Sequence, residues 1–251
     1  MTAKPLGLLA GARVIASREF AAWFDSGVAT ASTIAALLLA NSIFMNEFFL
    51  AGRIDMGPFF ARLPVLLVLF LPAQSMRLWA EERRTRTFEV LVTLPLATGS
   101  LVLGKFLAAL ALYGLFLVGT APIVVMLCVL GAPDLGLLAS GYLAALLLGG
   151  LLLALGSLLS ALSPDQVVAF VLAALVSAAL VLSGDERLVA VLDGLFSGAN
   201  VGTWIHDVFS AIPHYEELVG GIASAPALAY FVGLSALSLW LTTTLVRRLR
   251  T

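Results

Sequence analysis

Long apolar stretches separated by short polar segments fill most of this sequence. Runs of about 18 or more apolar residues are long enough to cross a bilayer as α-helices. The pairs Gly57-Pro58 and Ser163-Pro164 fall where two such runs begin, and Ser163 is predicted to cap its helix with Pro164 in the first turn. The pattern predicts six membrane-spanning helices, over residues 28–50, 59–76, 101–130, 135–162, 166–182 and 225–246.

The residues before the first span follow a different pattern. Between residues 1 and 27, alanine and aromatic side chains recur at helical spacing, with charged residues between them. Such a helix is typical of one that lies in the membrane interface with its apolar side in lipid. We predict that Trp23 lies at the level of the lipid headgroups, with Arg18 in the same interface.

The composition favours the same class of protein. Hydrophobic residues make up 61% and charged residues 12% of the 251 residues, and the mean hydropathy is +1.07. A soluble domain this apolar could not cover its surface with polar groups. We therefore expect an all-α polytopic membrane protein, with residues 1–251 forming one transmembrane domain.

The basic residues orient the predicted spans. If the N-terminus is cytoplasmic, eleven of the fourteen lysines and arginines fall in cytoplasmic segments or next to them. This asymmetry obeys the positive-inside rule and predicts that both termini are cytoplasmic. Lys105, close to the start of the third span, is expected to extend toward the interface. The eleven are Lys4, Arg13, Arg18, Arg77, Arg83, Arg84, Arg86, Lys105, Arg247, Arg248 and Arg250.

Two further patterns bear on packing and on the outer face. The fourth span carries small residues mostly four apart, which predicts close approach of a neighbouring helix; they are Gly141, Ala145, Gly149, Ser157 and Ala161. Residues 183–224 are acidic and predicted to be external, with a short amphipathic helix over Leu188, Val191, Leu192 and Leu195. His206 and His214, with Asp207 and Glu216, lie in this segment and are interpreted as surface residues, so no metal site is predicted.

Charge is concentrated in one place. Seven charged residues fall between Arg77 and Glu89. At roughly 3 kcal/mol each, burying them in the bilayer would cost on the order of 20 kcal/mol. Residues 77–100 are therefore predicted to be a cytoplasmic segment that contains a short helix and is broken at Pro95 and Gly99.

Two enzyme-like patterns overlap this segment. Gly99–Lys105 matches the spacing of a phosphate-binding loop, but position 106 is Phe and the residues between are apolar. Glu81 and Glu82 match the paired glutamates of intramembrane metalloproteases, which would make the chain an enzyme. That chemistry also needs histidines in the same cavity. Both histidines of the chain are predicted on the opposite side of the membrane, so no catalytic residue is predicted.

Four segments of the sequence resemble one family. They are SREFAAWFDSGVA at Ser17–Ala29, the long stretch Asp55–Leu110, SPDQVVAF at Ser163–Phe170, and PHYEELVGGI at Pro213–Ile222. In this order they resemble the membrane permease subunit of ABC type-2 transporters. The branch is that of gliding-motility-associated permeases and permeases of nitrous oxide reductase maturation. The sequence departs from the family pattern at Gly27, where proline is common.

The resemblance implies how the chain would work. The segment after the second span would be a coupling helix that docks into a groove on a separate cytoplasmic ATPase. Two permease subunits, identical or different, and two ATPases would form an exporter in the bacterial inner membrane. ATP and magnesium would bind to the ATPase, so this chain is expected to hold no cofactor and to be non-catalytic. No nucleic-acid partner is expected.

The family position and the charge density together give candidate site residues. The predicted contact surface for the ATPase consists of Glu81, Glu82, Arg83, Arg84, Thr87 and Glu89. Trp79, Phe88 and Leu91 are predicted to face the membrane side. A membrane anchor that recruits a cytoplasmic partner without transport is a second interpretation of the same surface. No ionisable residue lies at the middle of a predicted span, which favours an amphipathic or lipid-like cargo.

Overall fold

The computed structural model describes residues 7–25, 27–51, 55–85, 97–195 and 201–250. Every regular element in these ranges is a helix, which confirms the all-α prediction. The helices are α1 Leu8–Asp25, α2 Gly27–Ala51, α3 Gly57–Ser75, α4 Arg77–Arg84, α5 Thr98–Val118, α6 Ala121–Leu130, α7 Leu135–Leu162, α8 Gln166–Leu182, α9 Glu186–Leu195, α10 Val201–Phe209, α11 Ile212–Val219 and α12 Ala225–Arg250.

Among the described residues, four helical segments are long and apolar enough to cross a membrane, which indicates a membrane protein. They are Gly57–Arg84, Thr98–Leu130, Leu135–Leu162 and Ala225–Leu249. Within the described ranges, a fifth span results only if α1 and residues 30–46 of α2, bent by 81°, are counted together. Helices occupy all six predicted segments, but α8 has 17 residues, fewer than the roughly 20 that a span needs.

The long helix α7 forms the centre of the bundle, and its small residues let neighbours approach closely. A side-chain carbon at Gly141 would overlap the ring of Phe60, and one at Gly149 would overlap the ring of Tyr113. The Tyr113 hydroxyl donates to the carbonyl oxygen of Ala145 at 2.8 Å. The predicted small-residue stripe is therefore a packing surface, as the spacing indicated.

The helix α1 packs along α5. Ala12 and Ile15 are buried, and a side-chain carbon at Gly104 would overlap Ile15 and the carbonyl oxygen of Ala12. Trp23, predicted at headgroup level, is only 9% exposed within the chain. Part of the predicted interfacial side of α1, including Ala12, thus packs on another helix, whereas Phe24 is 51% exposed.

The α7–α8 connection corrects the predicted cap. Asp165 caps α8, because its Oδ1 accepts from the backbone N–H of Val167 at 2.7 Å and of Val168 at 3.1 Å. Ser163 instead closes the turn: its hydroxyl donates to the Asp165 carbonyl oxygen at 3.0 Å. Pro164 therefore precedes the helix and is not in its first turn.

Between α8 and α12, the described residues form three short helices. The prediction of a helix over Leu188–Leu195 is met by α9. The following helices, α10 and α11, were not predicted. Asp193 of α9 joins the first two helices, since its carboxylate accepts from Gly202 N at 2.6 Å and from the Thr203 hydroxyl at 2.7 Å. The Tyr215 hydroxyl of α11 donates to the carbonyl oxygen of Phe60 on α3 at 2.8 Å.

Candidate functional site

The charged segment after the second predicted span begins as a direct continuation of α3. A single residue, Met76, separates α3 from α4. Pro72 lies inside α3 one turn earlier, and its carbonyl oxygen accepts from the Met76 backbone N–H at 2.9 Å. The side chains of Leu78, Trp79 and Ala80 are buried, so the apolar side of α4 lies on the bundle.

Two serines of α7 hold the start of α4. The Ser160 hydroxyl donates to the Met76 carbonyl oxygen at 2.9 Å and accepts from the backbone N–H of Trp79 at 3.1 Å and of Ala80 at 3.2 Å. The first turn of a helix has backbone donors without partners in that helix. Ser160 therefore caps α4 from another helix. Ser157, one turn earlier, accepts from the indole N–H of Trp79 at 3.0 Å.

A buried lysine of α5 faces α4 from a second direction. The Lys105 side chain is 2% exposed, and its Nζ lies 2.7 Å from Glu82 Oε1 and 3.4 Å from Glu19 Oε2 of α1. The same Nζ is 5.3 Å from the centre of the Trp79 ring. Lys105 was predicted to extend to the interface, and this is wrong. It lies about two turns inside α5, on the side of that helix that faces the bundle.

Two arginines complete this arrangement, each bound within the chain. Arg77 makes a double contact with Glu81, from Nε to Oε2 at 2.7 Å and from Nη2 to Oε1 at 3.2 Å. The Arg77 guanidinium also lies 5.9 Å from the centre of the Trp23 ring. Arg83 Nη1 donates to the Ala161 carbonyl oxygen at 2.9 Å, at the C-terminal end of α7, where a cation is favourable.

We call this region the charged junction: α4 together with Glu19 of α1, Lys105 of α5, and Ser157 and Ser160 of α7. It connects one short helix to three others as well as to α3. A cavity of about 350 Å³ opens between α1 and α4 and is lined by charged residues of both. Arg18, predicted at the interface, is exposed and lines this cavity.

The junction divides the predicted site residues into two groups. Glu82 and Arg83 are turned toward the bundle, whereas Arg84 is exposed and the Glu81 side chain is 38% exposed. Thr87 and Glu89, with Phe88 and Leu91, lie outside the described residues. Trp79, predicted to face the membrane side, is completely buried, because Ser157 and Ser160 bind both its indole and its backbone.

Sequence reasoning missed Ser160, although a signal was present. It lies three residues after Ser157, on the same face of α7 as the small-residue stripe. Polar residues within a stripe that packs against another helix have to bind something there. The identity of their partner, more than seventy positions earlier in the chain, has no local signal.

The residues of the two enzyme-like patterns and the histidines make the following contacts in the structure. The Glu81 and Glu82 carboxylates contact Arg77 and Lys105, and across the described ranges no three His, Cys, Asp or Glu side chains are close enough to hold a metal ion. Gly99–Lys105 lies in the first two turns of α5. His214 stacks on Tyr230 with 4.5 Å between ring centres.

A scan of the sequence against protein-family models gives no match, and a search of curated proteins gives none either. The functional conclusion therefore depends on the geometry of the charged junction and on the pattern of the sequence.

Proposed function

We propose that the chain is the membrane-spanning permease subunit of an ABC type-2 exporter, driven by a separate cytoplasmic ATPase. The observation that carries this proposal is the attachment of α4. This helix is continuous with α3, capped by α7, and bound through Lys105 to α5. A force applied to the segment that follows α4 would be passed to several spans at once, which is what coupling to an ATPase requires.

The charges of the junction support a narrower contact surface than the sequence pattern predicted. Glu82 and Arg83 already bind groups inside the chain. Arg84, together with the exposed part of Glu81, is left for a partner. In this proposal Thr87 and Glu89 extend that surface, and residues 77–100 form the coupling segment.

The proposal also needs six spans with both termini in the cytoplasm. The distribution of basic residues supports this orientation. The 25 residues of α2 extend about 37 Å, and the 17 residues of α8 extend about 26 Å. The second value falls a few ångströms short of a bilayer core of about 30 Å, a mismatch that local thinning of the bilayer accommodates.

Copurification tests the proposal. The tagged full-length chain is purified in mild detergent from membranes of the organism that produces it. We expect it to retain an ABC-type ATPase, identified by mass spectrometry and by ATP hydrolysis that vanadate inhibits. Arg84→Glu should reduce the retained ATPase by about tenfold or more, because like charges facing each other across an interface cost several kcal/mol.

Arg187→Glu is the matched control, since Arg187 is also exposed but lies between α8 and α12. It should leave the retained ATPase unchanged. Wild-type protein that retains no ATPase would overturn the transporter proposal. Retention of a different cytoplasmic protein, lost in Arg84→Glu, would instead favour the membrane-anchor interpretation.

A further inference from the structure

Lys105 has two acidic partners that belong to different helices. Its Nζ is 2.7 Å from Glu82 on α4 and 3.4 Å from Glu19 on α1. The first distance is that of a charge-assisted hydrogen bond, and the second is too long for a strong one. Lys105 is thus bound to Glu82, with a second carboxylate within reach.

Two other cations lie near these glutamates. Arg77 binds Glu81 on α4, and Arg18 on α1 lines the same cavity, close enough for its charge to attract the Glu82 carboxylate. The Trp79 ring covers the remaining side of the ammonium group at 5.3 Å. Lys105 is therefore a buried cation that lies within 3.4 Å of a carboxylate oxygen of both Glu19 and Glu82.

The helices that carry the two glutamates are held against α5 to different degrees. Glu19 lies on α1, which packs along α5 so closely that Gly104 has no room for a side chain. Glu82 lies on α4, whose backbone is held by α7 and not by α5. A tilt of α4 about its attachment to Ser160 would separate Glu82 from Lys105, whereas Glu19 would stay beside Lys105.

We propose that Lys105 is an exchange switch between these two glutamates. In the closed state its ammonium group binds Glu82 and holds α4 against α5. In the open state it binds Glu19, and α4 is released. Glu19 is needed as the second partner because a buried ammonium group without a counter-charge is strongly unfavourable. Without Glu19, the open state would be rare. The switch deepens the proposed function, in which the ATPase would drive it, but the exchange itself is a property of this chain.

The accessibility of a buried cysteine at the junction measures the open population. Leu78 lines the same cavity and is 3% exposed, so Leu78→Cys reacts with a maleimide only when α4 opens. The exposed Cys128, the one cysteine of the chain, is first replaced by Ala. The labelling rate is measured on the full chain in phosphatidylcholine nanodiscs, without ATPase or nucleotide.

The two isosteric variants should act in opposite directions. Glu82→Gln weakens the closed state and should raise the labelling rate about tenfold. That factor corresponds to the loss of one hydrogen bond to a charged group. Glu19→Gln removes the partner of the open state and should lower the rate by a similar factor. Two glutamates that merely stabilise the bundle would both raise the rate when changed, and that result would overturn the switch.

Two controls complete the test. Arg187→Gln, at an exposed arginine outside the charged junction, should leave the rate unchanged. In a Lys105→Met background neither state has its ion pair, so adding Glu19→Gln should have no effect, and a remaining decrease would also contradict the switch. If Glu82→Gln does not fold, the direction of the Glu19→Gln effect still decides. Because no ATPase is present, the outcome is independent of the copurification experiment.

Discussion

Replacing Ser160 by alanine is the most direct test of how α4 is held. One hydroxyl serves three backbone groups: it accepts from Trp79 N and Ala80 N, and it donates to the Met76 carbonyl oxygen. Ser160 is completely buried, so no water replaces the lost oxygen from outside. Alanine fits the same space, and the effect of Ser160→Ala is therefore almost entirely that of the missing hydrogen bonds.

The size of the effect follows from the groups left unpaired. A buried backbone donor without a partner costs about 1–3 kcal/mol, and loss of a helix cap costs about 0.5–2 kcal/mol. The two estimates describe the same groups and are not added in full. We expect Ser160→Ala to lower the free energy of unfolding by about 2–4 kcal/mol. Ser157→Ala, which leaves only the Trp79 indole unpaired, should cost about 1–2 kcal/mol.

The assay is equilibrium unfolding in mixed micelles by sodium dodecyl sulfate, followed by tryptophan fluorescence. Ser140 is the matched control, because it lies on the same helix but makes an exposed hydrogen bond to the Leu137 carbonyl oxygen at 2.9 Å. Ser140→Ala should stay within about 0.5 kcal/mol of the wild type. If Ser160→Ala is no more destabilising than this control, the hydrogen bonds of Ser160 do not hold α4 on α7.

Three further predictions concern other parts of the bundle. Gln74 is 2% exposed, and neither of its amide atoms has a hydrogen-bond partner among the described residues, so Gln74→Met should raise the free energy of unfolding by about 1–3 kcal/mol. Gly149→Ala should lower it by about 1–3 kcal/mol, since the new methyl group overlaps Tyr113; Gly114→Ala, with open space, is the control. The Thr203 hydroxyl lowers the pKa of Asp193, so this bond stabilises α10 above about pH 4 and is lost as the pH falls further. The protection of α10 against hydrogen exchange, taken relative to the intrinsic exchange rate at each pH, should therefore fall in acid, and Asp193→Asn should remove this dependence.

The class of protein and the positions of the helices could be predicted because their signals are local. Apolar runs and helix-breaking residues lie within the segments they define, and small residues four apart mark a packing face wherever it is used. The small-residue stripe on α7 was predicted for this reason. The number of spans is less well determined by such local signals, because α8, with 17 residues, is shorter than the roughly 20 residues of a typical span.

The contacts of the charged junction could not be predicted, because its partners lie far apart in the sequence. The position of Lys105 was nevertheless open to inference. It precedes Ala109 by four residues and Leu112 by seven, so it shares their buried helix face. Lys105 was predicted to extend to the interface because it lies near the end of a span. Whether its side chain is buried depends instead on which face of α5 it occupies. That its partners are Glu19 and Glu82 follows only from the fold.

Pairing of charges within the chain limits which charged residues of α4 a partner protein could bind. Each of these charges, if unpaired, would be costly to bury in the bilayer. In the structure Arg77 pairs with Glu81, Lys105 pairs with Glu82, and Arg83 binds a backbone carbonyl. Paired charges carry little net charge outward, so they attract a distant partner only weakly. In the proposed transporter, binding of an ATPase would then depend on Arg84 and the segment after Thr85, while the attachment of α4 to α7 through Ser160 and Arg83 would transmit its movement. Recognition and transmission would thus use different residues of one short segment, and substitutions should be able to abolish either one separately.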